Sequence, residues 1–274
     1  MVAKPGRIAA QRNHGFTLIE VAVVVFIITL LLGSLLVPLT TQVDQRKIAD
    51  TRKAMNDAHE ALIGFALSNG RLPCPDNDGD GLEDVRTLSD SAADGCKAAK
   101  YSGWLPWATL GVPQTDAWGS RLKYRVTNDF TRRTGDTTAS GCPAGAGGDP
   151  NACTLEVADG SSGDMQIKSR DPVTKVEVQL ATSVPAVIIS FGKNTYGGTN
   201  ESGNAQPAPP AGDVDETANA TATATTFYSR QATPANQTCS DTAAGQPFCE
   251  FDDIVVWIAT PVLLNRMVSA GKLP

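Results

Sequence analysis

An apolar run of nineteen residues near the N-terminus constrains this chain more than any other feature. It covers residues 21–39 and contains no charged side chain. Because a helix rises about 1.5 Å per residue, this run covers the roughly 30 Å hydrocarbon core of a bilayer. The first fifteen residues carry Lys4, Arg7 and Arg12 but no acidic residue. This charge pattern predicts a cytoplasmic N-terminus, with the rest of the chain across the membrane.

A single acidic residue, Glu20, stands directly before the apolar run. A carboxylate in mid-helix costs about 2.5–3.5 kcal/mol in lipid, so this position needs a partner for its charge. The small residue Gly15 precedes the apolar run, whereas an ordinary signal peptide has its small-residue cleavage site after a shorter apolar core. This order argues against ordinary secretion, and a plain membrane anchor would leave it unexplained.

The stretch G-F-T-L-I-E at residues 15–20, between a basic segment and an apolar run, resembles the class III leader of type IV pilins and type II secretion pseudopilins. The resemblance implies that prepilin peptidase cuts between Gly15 and Phe16 and that the new N-terminal amine is methylated. It also implies that Glu20 pairs with the terminal amine of a neighbouring subunit during filament assembly. Such a pairing would make the buried charge of Glu20 tolerable.

We expect the helix to continue past the apolar run as an amphipathic segment over residues 40–70. Apolar residues recur there at three-, four- and seven-residue spacing, with charged residues on the other faces. These apolar positions are Ile48, Met55, Ala58, Leu62 and Phe65. Asn69-Gly70 is a good C-terminal stop, with Pro73 just beyond it. The predicted segments are a leader (1–15), a transmembrane and assembly helix (16–39), its amphipathic continuation (40–70) and a β-rich globular domain (71–274).

The globular domain is predicted to be rich in strands. Short, partly alternating segments are divided by turn residues. These segments are residues 120–129, 153–159, 164–170, 175–181, 186–192 and 253–260. Thr260-Pro261 suits the cap and first position of a final helix, and residues 197–226 read as a long inserted surface loop. The predicted fold class is therefore α+β and pilin-like, with a long N-terminal helix packed on an antiparallel β-sheet.

Two stretches of the globular domain extend the resemblance. D-A-W-G-S-R-L-K-Y at 116–124 is similar to the D-P-W-G-x-x-Y-x-Y segment of the major pseudopilin, with alanine for proline and leucine for the first tyrosine. The sequence S-F-G-K-N at 190–194, with the later G-G and D-I-V-V-W, resembles the loop that binds calcium in that family. The resemblance implies calcium ligands at Asn194, Asp252 and Asp253, although a large insertion precedes Asp253.

A second candidate calcium site comes from the residues themselves. The stretch C-P-D-N-D-G-D-G-L-E-D at 74–84, here called the acidic loop, has the D-x-D-x-D-G pattern of a calcium loop. Its candidate ligands are the carboxylates of Asp76, Asp78, Asp80 and Asp84 and the backbone carbonyl of Leu82. The twelfth position is Thr87 rather than a bidentate glutamate, for which Glu83 could substitute. The alternative is a solvated acidic turn held by Cys74.

Six cysteines are present, and none forms a C-x-x-C unit or lies near a histidine, which argues against zinc. An even number beside a membrane-targeting segment favours disulfides in an oxidising compartment. Six cysteines allow 15 pairings. Sequence proximity suggests the pairs Cys74–Cys96, Cys142–Cys153 and Cys239–Cys249.

An enzyme is not predicted, because the chain has two histidines, His14 and His59, and none of the common nucleophile or phosphate-binding motifs. The net charge of −6 argues against nucleic acid as a partner. The resemblance implies other partners: pilin or pseudopilin subunits, prepilin peptidase and an inner-membrane assembly platform. It implies a single-pass protein of the bacterial inner membrane with a periplasmic C-terminal domain, which then enters a filament that can reach the cell surface.

Two functions stay open at the level of sequence. The first is a processed subunit, of minor abundance, in a type IV pilus or a type II secretion pseudopilus. The second is a low-copy minor pilin whose enlarged domain recognises a surface, DNA or an exported protein. Size and the insertion favour a minor component, whereas the resemblances at 116–124 and 253–257 favour a relative of the pseudopilins.

Overall fold

A computed structural model describes residues 16–85, 95–131 and 162–272, apart from the side chains of residues 32–40. The leader with Gly15 and the predicted strand at 153–159 lie outside the described residues. The chain divides into two compact units, Met1–Arg46 and Lys47–Pro274.

The helix α1 spans Leu18–Asn69, within two residues of the prediction at its start and ending where it was predicted to end. Gly70 follows in the left-handed conformation, with φ of 72°, and its N–H donates to the carbonyl of Ala66 at 2.8 Å. The left-handed conformation favours glycine, which has no Cβ, and this explains why the helix ends here. Among the described residues, no helix has an apolar stretch long enough to cross a membrane.

The globular unit adds three short helices and two 3₁₀ turns to seven strands within its described residues. The helices are α2 (Trp107–Leu110), α3 (Val214–Ala220) and α4 (Thr260–Ser269), and the 3₁₀ turns are Lys97–Ala99 and Asn128–Phe130. The strands are β1 (Ser102–Trp104), β2 (Lys123–Val126), β3 (Met165–Arg170), β4 (Glu177–Val184), β5 (Ala186–Ser190), β6 (Thr226–Tyr228) and β7 (Ile254–Ile258).

The strands form two sheets. The first has the order β1-β2-β5-β7, and every neighbouring pair in it is antiparallel. The second has the order β4-β3-β6, in which β3 and β4 are antiparallel but β3 and β6 are parallel. The fold is α+β, with an N-terminal helix followed by antiparallel sheet, consistent with a pilin fold. The parallel pair is the exception. The strands β3 and β6 are far apart in the chain, which leaves room for the crossover connection that parallel strands need.

The first sheet lies between a helical layer and the second sheet. On one face, Leu62 of α1 and Leu263 of α4 share a core with Tyr124 and Ile188. On the other face, Val187 and Ile189 pack against residues of the second sheet. Because side chains alternate along a strand, β5 sends successive residues into two different cores. Its uninterrupted apolar sequence therefore reflects burial on both faces.

The prediction of a long surface loop over residues 197–226 is wrong in part, because this segment contains α3. Asp213 caps the helix by accepting a hydrogen bond from the N–H of Glu216. Asp215, Glu216 and Asn219 of α3 are all buried. The helix was missed because its buried face is polar, so it lacks the apolar periodicity by which helices are predicted.

The final helix α4 begins one residue earlier than expected. Its cap is Ala259 rather than Thr260. The Thr260 hydroxyl donates instead to the carbonyl of Ser183, so it is not used for capping. Pro261 lies in the first turn, where its missing N–H costs nothing.

Two disulfides lie within the described residues. Cys74 is bonded to Cys96, and Cys239 is bonded to Cys249. Both are pairs that sequence proximity suggested. The third suggested pair, Cys142–Cys153, lies outside the described residues.

Candidate functional site

In the N-terminal unit, the structure gives Glu20 a local partner. Its Oε2 accepts hydrogen bonds from the N–H and the hydroxyl of Thr17, both at 2.9 Å, and the Thr17 hydroxyl accepts from the N–H of Glu20 at 3.3 Å. This reciprocal arrangement is a capping box, which satisfies free N–H groups at a helix start. The pattern Thr17-x-x-Glu20 is visible in the sequence, so this second role of Glu20 was predictable but was missed.

The surface around Glu20 is strongly apolar. Phe16 is 87% exposed, and the large apolar side chains from Leu18 to Leu31 are exposed as well. Phe16, Ile19, Val23 and Val24 line a groove of about 340 Å³ together with Glu20. A continuous apolar surface of this kind needs cover from lipid or from protein.

In the globular unit, the acidic loop folds around the carboxylate of Asp76, which is fully buried. Its Oδ1 accepts from the N–H groups of Gly79 at 2.6 Å and Asp78 at 3.2 Å, and its Oδ2 accepts from that of Gly81 at 2.8 Å. Burial raises the pKa of Asp76, and the hydrogen bonds from Gly79 and Gly81 oppose this shift. The loop therefore satisfies its central carboxylate with its own backbone.

Of the candidate ligands in the acidic loop, three carboxylates come together. Asp76, Asp78 and Asp84 each place one oxygen so that all three lie within 4.8 Å of one another. Asp80 is not in this group, and its Oδ1 accepts from the N–H of Leu82 at 2.8 Å. The candidate substitute Glu83 forms an ion pair with Arg71 instead, at 2.7 Å. The arrangement leaves a three-carboxylate group that suits a hard cation.

Glycine is required where the acidic loop meets Trp107. Gly81 has φ of 84°, and a Cβ there would lie 2.4 Å from the Trp107 ring. Gly79, with φ of 90°, lies against Arg121, whose guanidinium stacks 4.7 Å from the Trp104 ring centroid. The two tryptophans are half-buried and serve as the packing surface of the loop.

A second group of carboxylates lies inside the globular unit, here called the interior cluster: Asp213, Glu216, Asp252 and Asp253. Glu216, Asp252 and Asp253 each place one oxygen within 4.8 Å of the others. Two come from α3 or its cap and two from the residues that lead into β7, so 36 residues separate Glu216 from Asp252. Only folding brings them together.

Hydrogen bonds satisfy one side of the interior cluster. Glu216 accepts from the N–H of Asp252 at 3.1 Å, and Asp253 Oδ2 accepts from the Asn219 amide at 2.8 Å. Asp252 Oδ2 accepts from the N–H groups of Lys193 and Asn194 at 2.8 and 2.9 Å. These bonds fix the orientation of each carboxylate.

The other side of the interior cluster is unsatisfied. Among the described residues, Asp213 Oδ2, Asp252 Oδ1 and Asp253 Oδ1 are buried without a hydrogen-bond partner. Native proteins contain few such atoms, and each costs about 1–3 kcal/mol, more when charged. Two of the three belong to Asp252 and Asp253, whose carboxylates lie with that of Glu216 in the group described above, so a positive charge there would be stabilising.

Burial governs the ionisation of the interior cluster. It raises the pKa of Glu216 to about 9, with a further contribution from the negative charges of Asp253 and Asp213. Burial also raises the pKa of Asp213 to about 7 and that of Asp252 to about 6. The pKa of Asp253 lies well above its ordinary value, chiefly because of burial, and Lys123 only partly opposes this.

Neighbouring buried acids show how the same unit handles charge elsewhere. Asp215 accepts from Arg170 at 2.7 Å and from Arg230 at 2.9 Å, and Asp241 accepts from Arg230 at 3.0 Å. These two carboxylates have guanidinium partners of matching shape. Three oxygens of the interior cluster, by contrast, have no such partner among the described residues.

Of the calcium ligands implied by the resemblance, Asp252 and Asp253 lie in the interior cluster, and Asn194 contacts that cluster through Glu216. The Asn194 amide nitrogen donates to both oxygens of Glu216 at 3.1 Å, and its side-chain oxygen accepts from the N–H of Tyr196 at 3.0 Å. Asn194 therefore orients Glu216. Glu216 itself was missed because it lies in the insertion. The acidic run at 213–216 was the only signal for it.

A comparison with protein families identifies the N-terminal segment. Residues 10–36 match the model of the prokaryotic N-terminal methylation motif. The chain carries the type IV pilin and pseudopilin signature. The match contains Gly15, Phe16 and Glu20, which confirms the resemblance derived from residues 15–20. Comparisons with curated proteins and with solved structures found no match to this chain.

Proposed function

We propose that the chain is a pilin-like structural subunit that prepilin peptidase cuts between Gly15 and Phe16. The methylated subunit then assembles through its N-terminal helix into a type IV pilus or a type II secretion pseudopilus. The match of residues 10–36 to the methylation motif carries this proposal. A motif of this kind marks structural subunits rather than enzymes. The exposed apolar surface of residues 16–31 supports it, because assembly would cover that surface.

The proposed route begins in the inner membrane. The subunit is anchored there with a cytoplasmic N-terminus, meets prepilin peptidase and the assembly platform, and is then passed to other pilin or pseudopilin subunits. The basic residues of the leader support this orientation. We place the subunit among the minor components, because the segment inserted before Asp253 enlarges its globular unit and contains the helix α3 and the Cys239–Cys249 disulfide.

Mass spectrometry of sheared filaments and of the membrane fraction tests processing and abundance together. We expect a chain that begins with methylated Phe16, present in filaments at a small fraction of the most abundant subunit. Abundant chain in filaments would make it a main subunit and contradict the minor role. An intact Met1 in both fractions would overturn the processing.

Glu20 is proposed to pair with the N-terminal amine of the next subunit, a role that must be separated from its local capping of Thr17. In the variant Glu20→Gln, the amide can still accept from Thr17 but carries no charge, so cleavage should proceed while incorporation into filaments is lost. The matched variant Thr17→Val removes the hydroxyl of the capping box and keeps the charge. It should assemble normally, whereas equal loss in both variants would mean that Glu20 acts only as a cap.

The insertion also favours a second function, recognition of a surface or of an exported protein by a low-copy subunit. A deletion of the exposed residues 201–205 in the insertion tests this function. Intact filaments with loss of adhesion or secretion would support it. Nucleic acid is the less favoured ligand, because the chain is acidic.

A further inference from the structure

A cavity of about 350 Å³ lies in the segment inserted before Asp253, and it is here called the insertion cavity. Apart from Tyr196, all of its lining residues belong to that inserted segment. Residues 235–237 and Pro210 line it and are exposed, so the cavity is open to solvent. Its volume lies at the lower end of the range of about 300–1,000 Å³ that is typical of ligand cavities.

The inner wall of the insertion cavity combines acidic and apolar groups. Asp213 lines the cavity, is only 1% exposed, and its Oδ2 is buried without a hydrogen-bond partner. Glu250 lines it as a second carboxylate and is half-buried. The Tyr196 ring and the disulfide of Cys239 with Cys249 add apolar surface. A positively charged group would be stabilised here, because carboxylates set in an apolar wall are poorly hydrated.

The insertion cavity is distinct from the calcium site that the resemblance implies. Its lining includes none of the implied ligands Asn194, Asp252 and Asp253. Among the described residues, the groups of acidic side chains that are close enough to hold a metal ion contain neither Asp213 nor Glu250. A planar guanidinium donates five hydrogen bonds in a fixed fork, so it suits carboxylates that are spread over a wall better than a compact ion does.

A neighbouring part of the same unit shows the arrangement that the insertion cavity lacks. Arg230 pairs with Asp215 at 2.9 Å and with Asp241 at 3.0 Å, and its guanidinium lies 4.3 Å from the centroid of the Phe251 ring. Two carboxylates and an aromatic ring thus surround one guanidinium. The insertion cavity has two carboxylates and an aromatic ring as well, but the described residues that line it include no arginine or lysine.

We propose that the insertion cavity binds an arginine side chain of another protein. The guanidinium pairs with Asp213 and Glu250, and the apolar stem of the arginine lies against Tyr196. The exposed amides of Asn236 and Gln237 line the cavity and can contact the backbone from which that side chain extends. The inference rests on the second proposed function, recognition by a low-copy subunit, and it names the chemistry that is recognised.

Isothermal titration calorimetry on the full chain in detergent tests this inference. The probe is the capped peptide acetyl-Gly-Arg-Gly-amide, and its control contains citrulline, which has nearly the same shape but no charge. The citrulline peptide should bind about tenfold more weakly, because hydrogen bonds between charged groups are the stronger ones. Titrations in chelator and in Ca²⁺ should give the same affinity, since the calcium ligands implied by the resemblance do not line the cavity.

Matched variants assign the binding to the insertion cavity. Asp213→Asn and Glu250→Gln should each weaken binding of the arginine peptide about tenfold, because each removes one charge that the guanidinium pairs with. Asparagine caps helices as well as aspartate does, so Asp213→Asn keeps the start of α3. The control Glu201→Gln changes an exposed glutamate of the same inserted segment and should leave the affinity unchanged.

Four results would overturn the inference. They are equal affinity for the arginine and citrulline peptides, full affinity in both cavity variants, loss of binding when Ca²⁺ is added, and tighter binding of free agmatine than of the arginine peptide. The third would place the guanidinium at the implied calcium site, and the fourth would make a small free amine the ligand.

These titrations involve neither cleavage nor assembly, so their failure leaves the proposed pilin function unaffected. The recognition function can fail separately. If Asp213→Asn and Glu250→Gln lose the peptide but retain adhesion and secretion, the cavity binds arginine without serving recognition.

Discussion

The acidic loop and the interior cluster are both groups of carboxylates in one globular unit, yet they are built in opposite ways. The loop draws its carboxylates from eleven consecutive residues, and its buried Asp76 is satisfied by three backbone N–H groups of that same loop. The interior cluster draws on α3 and on the start of β7, and three of its oxygens are left without partners.

This contrast shows that a high density of acidic residues in a sequence does not indicate which carboxylates lack compensating hydrogen bonds or charges after folding. Local acids can be solvated or bonded to nearby N–H groups at little cost, as at Asp80 and Leu82. Acids that meet only after folding lose water and repel one another. The less conspicuous group in the sequence is thus the one whose described carboxylates keep oxygens without a hydrogen-bond partner.

The largest effect should come from Asp76→Ala. Removing a buried acceptor of three N–H groups should lower the free energy of unfolding by about 3 kcal/mol. Because the acidic loop is satisfied by its own backbone, this loss should appear even in chelator. Urea unfolding of the full chain in detergent, followed by tryptophan fluorescence, reports on the globular unit, since all four tryptophans lie there. A loss seen only in calcium would mean that Asp76 acts as a ligand alone.

Gly192→Ala, next to the interior cluster, should cause the second largest loss in the free energy of unfolding. Its Cβ would clash with Asp252 in a left-handed conformation, which should cost about 2 kcal/mol. Gly203→Ala is the matched control, because Gly203 has φ of 85° but nothing lies within 4 Å of the position that its Cβ would take. Equal losses in the two variants would show that backbone strain alone is responsible and that the approach to Asp252 is unimportant.

Calcium binding by the acidic loop stays a prediction from the sequence, and its expected effect is smaller. At ten times the half-saturation concentration, Ca²⁺ should add about 1.4 kcal/mol to the stability of the unit. The double variant Asp78→Ala with Asp80→Ala should remove the loop's share of this gain, seen as a lower melting temperature in calcium only. A melting temperature that this double variant leaves unchanged in calcium would assign the acidic loop a purely structural role.

The smallest effect has the opposite sign. In chelator and above the pKa of about 9 that burial gives Glu216, Glu216→Gln should raise the free energy of unfolding by about 1 kcal/mol, because a neutral amide then replaces a buried carboxylate that lies among like charges. Calcium at the site that the resemblance implies, at Asp252 and Asp253, should reverse this sign, because the variant removes a carboxylate beside that site. The crossing of the two unfolding curves is the signature to measure. A loss of stability in both conditions would mean that the carboxylate is compensated without a cation.

Much of the architecture follows from local patterns. The helix α1 was placed within two residues, and β2, β3, β4, β5 and β7 all fall at predicted segments, because apolar periodicity and turn residues mark them. The strands β1 and β6 were missed, since three residues carry no periodic signal and their pairing depends on distant partners.

The candidate sites also divide into those that local sequence predicts and those that depend on the packing of distant segments. Local sequence was enough to predict the N-terminal signature, the acidic loop and the pairing of Cys239 with Cys249, because each lies within a short stretch of chain. It took the folded chain to show that the Asn194 amide contacts Glu216, that one face of α3 is buried and that Glu216 meets Asp252 and Asp253. The reason is physical: which carboxylates lose water and approach one another depends on how distant segments pack.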